Sequence, residues 1–294
     1  MAYGVMACLA AAFCIAMPYA PSRLQIVPAF VPIYASLIIV TGLITTVLLL
    51  AQFWVVRWTW LLVLANGYLF ATLMAVPGVL AFPGAFSPTG LLGGDAQTAA
   101  WIGASYQLAL PAVLIAAVLV RDRPRTSGLA QRSPGLAIAL GVALVAAIAC
   151  ALTWVILAYS NILPQLFVNA TQQSQNIVLV VVTVMALEAT ALLLLWRRGR
   201  SVLDLWLMVT CVAWLFERSL SGPIGGARYS LGWYTGHAFQ IMATFAVLLL
   251  LLSETTTLYA SMVRASMQRR GARHARQIAM DAMAASIGHE IDSR

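Results

Sequence analysis

Long apolar runs separated by short polar segments dominate the chain. A helix that crosses a bilayer needs about 20 mostly apolar residues. Eight runs meet or approach that length, at residues 2–17, 27–53, 58–80, 99–120, 135–159, 176–196, 202–220 and 233–253. The pattern predicts an all-α integral membrane protein with about eight transmembrane helices. The first run is the weakest, being short, ended by Pro18 and placed at the first residue. It has the length of a signal peptide but no basic n-region, which leaves a shallow first span or a start codon placed too late.

Composition strengthens this reading. Of 294 residues 62% are hydrophobic and 9% charged, with a mean hydropathy of +0.90. Soluble domains carry about 25% charged residues, so a soluble domain is excluded. All 17 basic residues are arginine. The lack of lysine removes the P-loop lysine, Ser/Lys hydrolases and Schiff-base chemistry. Cys8, Cys14, Cys150 and Cys211 lie within apolar runs without C-x-x-C spacing and read as packing residues.

The net charge of +8 points to membrane orientation rather than to nucleic acid, because the arginines sit between the apolar runs. Arg57, Arg121, Arg123, Arg125, Arg132, Arg197, Arg198 and Arg200 follow the second, fourth and sixth runs, and six more lie beyond the last. Only Arg23, Arg218 and Arg228 fall on the other side. This fourteen-to-three bias predicts a cytoplasmic C-terminus, whether the spans number seven or eight. The outward connections, residues 77–98 and 160–175, are too short for a folded domain. The sequon at Asn169 is a weak signal, and no inverted repeat of the transporter type is present.

Polar residues inside the runs are candidate chemistry. Glu188 reads either as a proton or ligand site or as a protonated acid hydrogen-bonded between helices. Near the outer ends of the last two runs, Thr210, Trp214 and Glu217 share one helical face, and Trp233, His237, Gln240 and Thr244 share another. With Arg228 and Trp101 these form a candidate pocket for a small ligand. The competing reading is an interfacial aromatic belt with arginine anchors, which suits Tyr229 and Tyr234 better. A single intramembrane histidine argues against a bis-His haem, and no metal-ligand cluster is evident.

The tail differs in kind. From Ser253 to Arg294 there is no proline, and alanine, methionine and arginine favour a helix. The organisation expected is a membrane-embedded part over 1–253, a helical extension over 254–276 and a further helix over 277–294. Met280, Met283, Ala284, Ile287 and Ile291 fall on one face of that helix, with His289 opposite and Glu290 beside it. An exposed histidine next to an acid suits a nucleophile, and a solvated surface histidine is the bland alternative. Ser293 stands where a zinc-protease H-E-x-x-H motif needs its second histidine.

Residues 284–291, Ala-Ala-Ser-Ile-Gly-His-Glu-Ile, resemble the H-box of bacterial sensor histidine kinases. The resemblance implies that His289 is the phosphoacceptor and Glu290 the adjacent acid. The sequence departs from the family with Gly288 for alanine and with Asp292-Ser293-Arg294 for the usual Gln-Pro-Leu continuation. Phe82-Pro-Gly-Ala-Phe-Ser-Pro-Thr-Gly-Leu-Leu-Gly93, Gln97-Thr-Ala-Ala-Trp101, Arg228-Tyr-Ser-Leu-Gly-Trp-Tyr234 and the Ser253–Tyr259 exit resemble the fourth class of bacterial membrane-associated sensor domains. Such domains precede histidine kinase or diguanylate cyclase output domains.

Together these resemblances imply the input module of a two-component histidine kinase in the bacterial inner membrane, surrounded by lipid and dimerising through its C-terminal helix. A response regulator is the implied partner if a full kinase exists. No cofactor is expected in this chain, since ATP and Mg²⁺ would enter only through a kinase domain that the sequence lacks, and the chain alone is not expected to phosphorylate itself. The alternative is a transporter or channel using Glu188 and His237.

Overall fold

A computed structural model describes residues 2–93, 96–121, 132–167, 173–198, 201–225, 227–257 and 267. The helices are α1 (Ala2–Ala16), α2 (Phe30–Val56), α3 (Thr59–Ala81), α4 (Ala96–Arg121), α5 (Pro134–Tyr159), α6 (Gln175–Arg198), α7 (Val202–Ser219) and α8 (Leu231–Thr257). The protein is all-α. The described residues form no strand, only two isolated bridges, Arg23 with Ser230 and Phe167 with Gln173. This follows from the solvent, since in hydrocarbon a helix satisfies its own backbone groups. The chain forms two units, Met1–Leu251 and Leu252–Arg294. Of the second, residues 252–257 and 267 are described and are helical. His289 and Glu290 lie outside the described residues.

Seven of the eight helices are long and apolar enough to cross a membrane, including α1 with the turn that follows it. The exception is α7, whose 18 residues include Asp204, Glu217 and Arg218. All three are buried, so α7 is an interior helix whose charges turn towards protein rather than lipid.

Within the first unit α2 packs on α3, α3 on α4, α4 on α6 and α6 on α7. α8 closes the ring through Phe239, 6.0 Å from Phe216 of α7, and through Gln240, which accepts a hydrogen bond from Tyr34 of α2. α1 packs outside α7 and α5 outside α3. On α5, Leu136, Leu140, Leu144 and Ile148 recur every fourth residue on one exposed face, the stripe a lipid-facing helix presents. Small residues bring helices together inside the ring. A Cβ at Gly42 would lie 2.2 Å from Thr72 Oγ1, and one at Gly67 2.5 Å from Val113 Cγ1.

The two ends are built differently. At the arginine-rich end Arg121 pairs with Asp204 and lies over the Trp60 ring, 5.0 Å from its centroid. The Asp204 carboxylate also accepts from Ser201 N (2.9 Å), while Ser201 Oγ accepts from Asp204 N (3.1 Å). This capping box starts α7. At the opposite end the segment before α2 pairs with the one before α8. Leu24 N donates to Tyr229 O (3.0 Å), Leu231 N to Ser22 O (2.8 Å) and Gly232 N to Ala20 O (2.9 Å).

Candidate functional site

The ring of α2, α3, α4, α6, α7 and α8 lines a partly open cavity of about 190 Å³ at the end opposite the arginine-rich one. At roughly 30 Å³ per water in the liquid, it holds about six waters or a small organic molecule. Its walls are mainly aliphatic, with Val31 and Ala35 from α2, Ala99 and Gly103 from α4, and Val180 and Val181 from α6. Tyr34, Tyr106, Gln107, Glu217, Arg218 and His237 bring polar groups to it. A pocket with mostly apolar walls and a few convergent polar groups is the usual form of a ligand site.

Its roof is made by the connections. Gln97 Nε2 donates to Pro164 O (2.7 Å), and Gln97 Oε1 accepts from Leu166 N (3.0 Å) and Phe167 N (3.2 Å). These bonds hold Leu166 and Phe167, which line the cavity. Arg228 is buried and stacks over Phe167 and Phe82, its guanidinium carbon 3.9 Å and 5.0 Å from the ring centroids. Burial pushes its pKa down to about 10, which leaves it charged at neutral pH.

A cluster of charges lies at the inner end of the cavity. Arg218 Nη2 is 2.8 Å from Glu217 Oε2, and Arg218 Nε is 3.6 Å from Glu188 Oε1. Ser221 Oγ donates to Glu217 Oε1 (3.2 Å). Glu188, Glu217 and Arg218 are 2%, 1% and 7% exposed, so bulk water screens them little. A second, smaller cavity of about 20 Å³ borders Glu188, Trp214 and Gln240 and shares Tyr106, Gln107 and Arg218 with the first. His237 Nδ1 lies 2.7 Å from Trp233 O, and its ring meets Tyr34 edge-on with centroids 4.6 Å apart.

The structure therefore brings Glu217, Arg228, Trp233 and His237 to one cavity, and Glu188 and Gln240 to the adjoining one. Trp101 stands apart. Its indole Nε1 donates to Pro164 O (3.1 Å) and holds the connection that roofs the cavity. Tyr234 does more than an interfacial belt requires, since its hydroxyl donates to Gln25 O (3.0 Å) and accepts from Val27 N (3.2 Å).

Residues 25–259 match the model of MASE4, a membrane-associated sensor, integral membrane domain. The chain belongs to this family. No curated protein and no solved structure matches it. The MASE4 match begins before α2 and covers every helix of the ring up to the end of α8, so the cavity and its charge cluster lie wholly within the sensor domain.

Sequence reasoning missed Arg218 as the central partner, and it missed Tyr34, Tyr106 and Gln107. A charged residue directly after Glu217, inside an apolar 18-residue helix, was the available signal for Arg218. For the two tyrosines the signal was a polar-tipped aromatic flanked by small residues, Ala35 beside Tyr34 and Gly103 and Ala104 near Tyr106. Among the described residues no group of three His, Cys, Asp or Glu could hold a metal ion.

Proposed function

We propose that the chain is the input module of a two-component histidine kinase of the bacterial inner membrane. A small molecule entering the ring cavity changes how α8 packs, and the C-terminal segment carries that change to a phosphoacceptor helix bearing His289 and Glu290. The observation that supports this is the dual role of α8. Trp233 and His237 in its first two turns line the cavity, and the same helix runs on to Thr257, ahead of the tail. A ligand that prefers one packing of α8 shifts the equilibrium by its differential affinity. The H-box resemblance supplies the acceptor, the arginine bias the cytoplasmic placement, and dimerisation through the tail the geometry for phosphotransfer.

Gly103 provides the test, because it lines the cavity and a Cβ there meets nothing within 4 Å. The whole chain is fused in frame to a complete dimerisation hairpin and kinase domain, and phosphorylation is followed in membranes. Gly103→Leu, whose Cβ has open space, should project into the cavity and lock the kinase at one output. His289→Gln should remove the label. Label on His274, or an output indifferent to Gly103→Leu, overturns the proposal.

A further inference from the structure

Glu188 and Glu217 share a single guanidinium, that of Arg218. Neither Glu188 Oε2 nor Glu217 Oε2 has a hydrogen-bond partner, although each is fully buried. The 2.8 Å contact from Arg218 to Glu217 Oε2 is an ion pair out of line for a hydrogen bond. Two carboxylates against one guanidinium leave one negative charge to be met at bilayer depth, where an uncompensated charge is costly. A proton can meet it, and so can a cation brought by a ligand.

The space beside the cluster favours the second. The 190 Å³ cavity opens on Glu217 and Arg218, so a positive group reaching Glu217 can keep an organic body in the same cavity. Tyr34, Tyr106 and Trp233 border that space, and aromatic faces attract cations. The cavity's other cation, Arg228, is in the roof against the Phe82 and Phe167 rings.

We propose that the cavity takes a small primary amine, its ammonium group against Glu217, the carboxylate of the cluster that borders this cavity, and its apolar body between Val31, Ala104 and Val181. The proposal rests on the sensor reading above and names the chemical class of the stimulus. A neutral isostere cannot supply the missing charge, and a carboxylate would add to the surplus.

The full chain in nanodiscs of neutral phospholipid is titrated at pH 7 with n-butylamine, n-butanol and sodium butyrate, followed by tryptophan fluorescence and calorimetry. Butylamine should bind saturably, with the alcohol and the acid at least about tenfold weaker, as expected when a buried charge loses its partner. Glu217→Gln should weaken amine binding by about tenfold or more. Should that variant fail to fold, Gly103→Leu, which leaves both acids in place, should abolish amine binding by occupying the space. Equal binding of alcohol or acid, amine binding that survives both variants, or no saturable binding overturns the amine assignment. If amine binding fails while Gly103→Leu still locks the kinase fusion, the sensor reading stands without this ligand class. If amine binds and the fusion ignores Gly103→Leu, only the signalling reading falls.

Discussion

Arg218 on α7 lies 3.6 Å from Glu188 on α6 and ties these neighbouring helices together at bilayer depth. The pair is asymmetric, because Arg218 also faces Glu217, whereas Glu188 Oε2 has no hydrogen-bond partner. Glu188→Gln leaves Arg218 its other carboxylate. Arg218→Met leaves two buried acids without a cation. Removing one partner of a buried pair costs about 3–5 kcal/mol, and the Arg218 variant should bear that loss. Thermal unfolding in detergent should show a large drop for Arg218→Met and a small change for Glu188→Gln. An equal drop for both would show that the Glu188 contact carries the stability of the cluster.

Gly67 and Gly103 both lie on helices of the ring, and they should respond oppositely to a methyl group. At Gly67 the added Cβ would lie 2.5 Å from Val113 Cγ1, whereas at Gly103 it meets nothing within 4 Å. Overpacking costs about 1–3 kcal/mol, so Gly67→Ala should lower thermal stability. Gly103→Ala should leave it unchanged or raise it by about 0.5–1 kcal/mol, the helix preference of alanine over glycine. A stable Gly67→Ala would mean that α3 and α4 have room to separate.

Tyr34 donates its hydroxyl to Gln240 Oε1, joining α2 to α8. Both side chains are buried, so Tyr34→Phe leaves the amide oxygen unsatisfied at a cost of about 1–3 kcal/mol. The variant should be less stable, and the kinase fusion should shift its basal output, because the lost bond sits on the helix proposed to carry the signal. Loss of stability with unchanged output would confine Tyr34 to a structural role.

The arginine distribution predicts that a reporter fused after Arg276 is active only if it works in the cytoplasm. Fusions within residues 160–167 should report the opposite side. Activity of a periplasmic reporter after Arg276 would invert the arrangement.

All seven helices long and apolar enough to cross a membrane were legible from hydrophobicity alone, because a bilayer demands about 20 apolar residues per crossing and nothing distant in the chain alters that requirement. The run at 202–220 also became a helix, but hydrophobicity could not reveal its interior position. Asp204, Glu217 and Arg218 find partners on α4, α6 and α7 itself, and those partners are visible only when the helices are assembled. Glu188, Glu217, Arg228, Trp233, His237 and Gln240 stood out as polar groups in apolar surroundings, which any single helix shows by itself. Their grouping into one larger and one smaller cavity, the place of Arg218 between two acids and the displacement of Trp101 to the roof depended on helix rotation. That rotation is set by close contacts such as Gly42 against Thr72 and Gly67 against Val113. Sequence therefore determined the class of protein and its spans, since these depend on each segment's own transfer to lipid. Tertiary structure decided which buried charges meet, since that depends on packing between segments far apart in the chain.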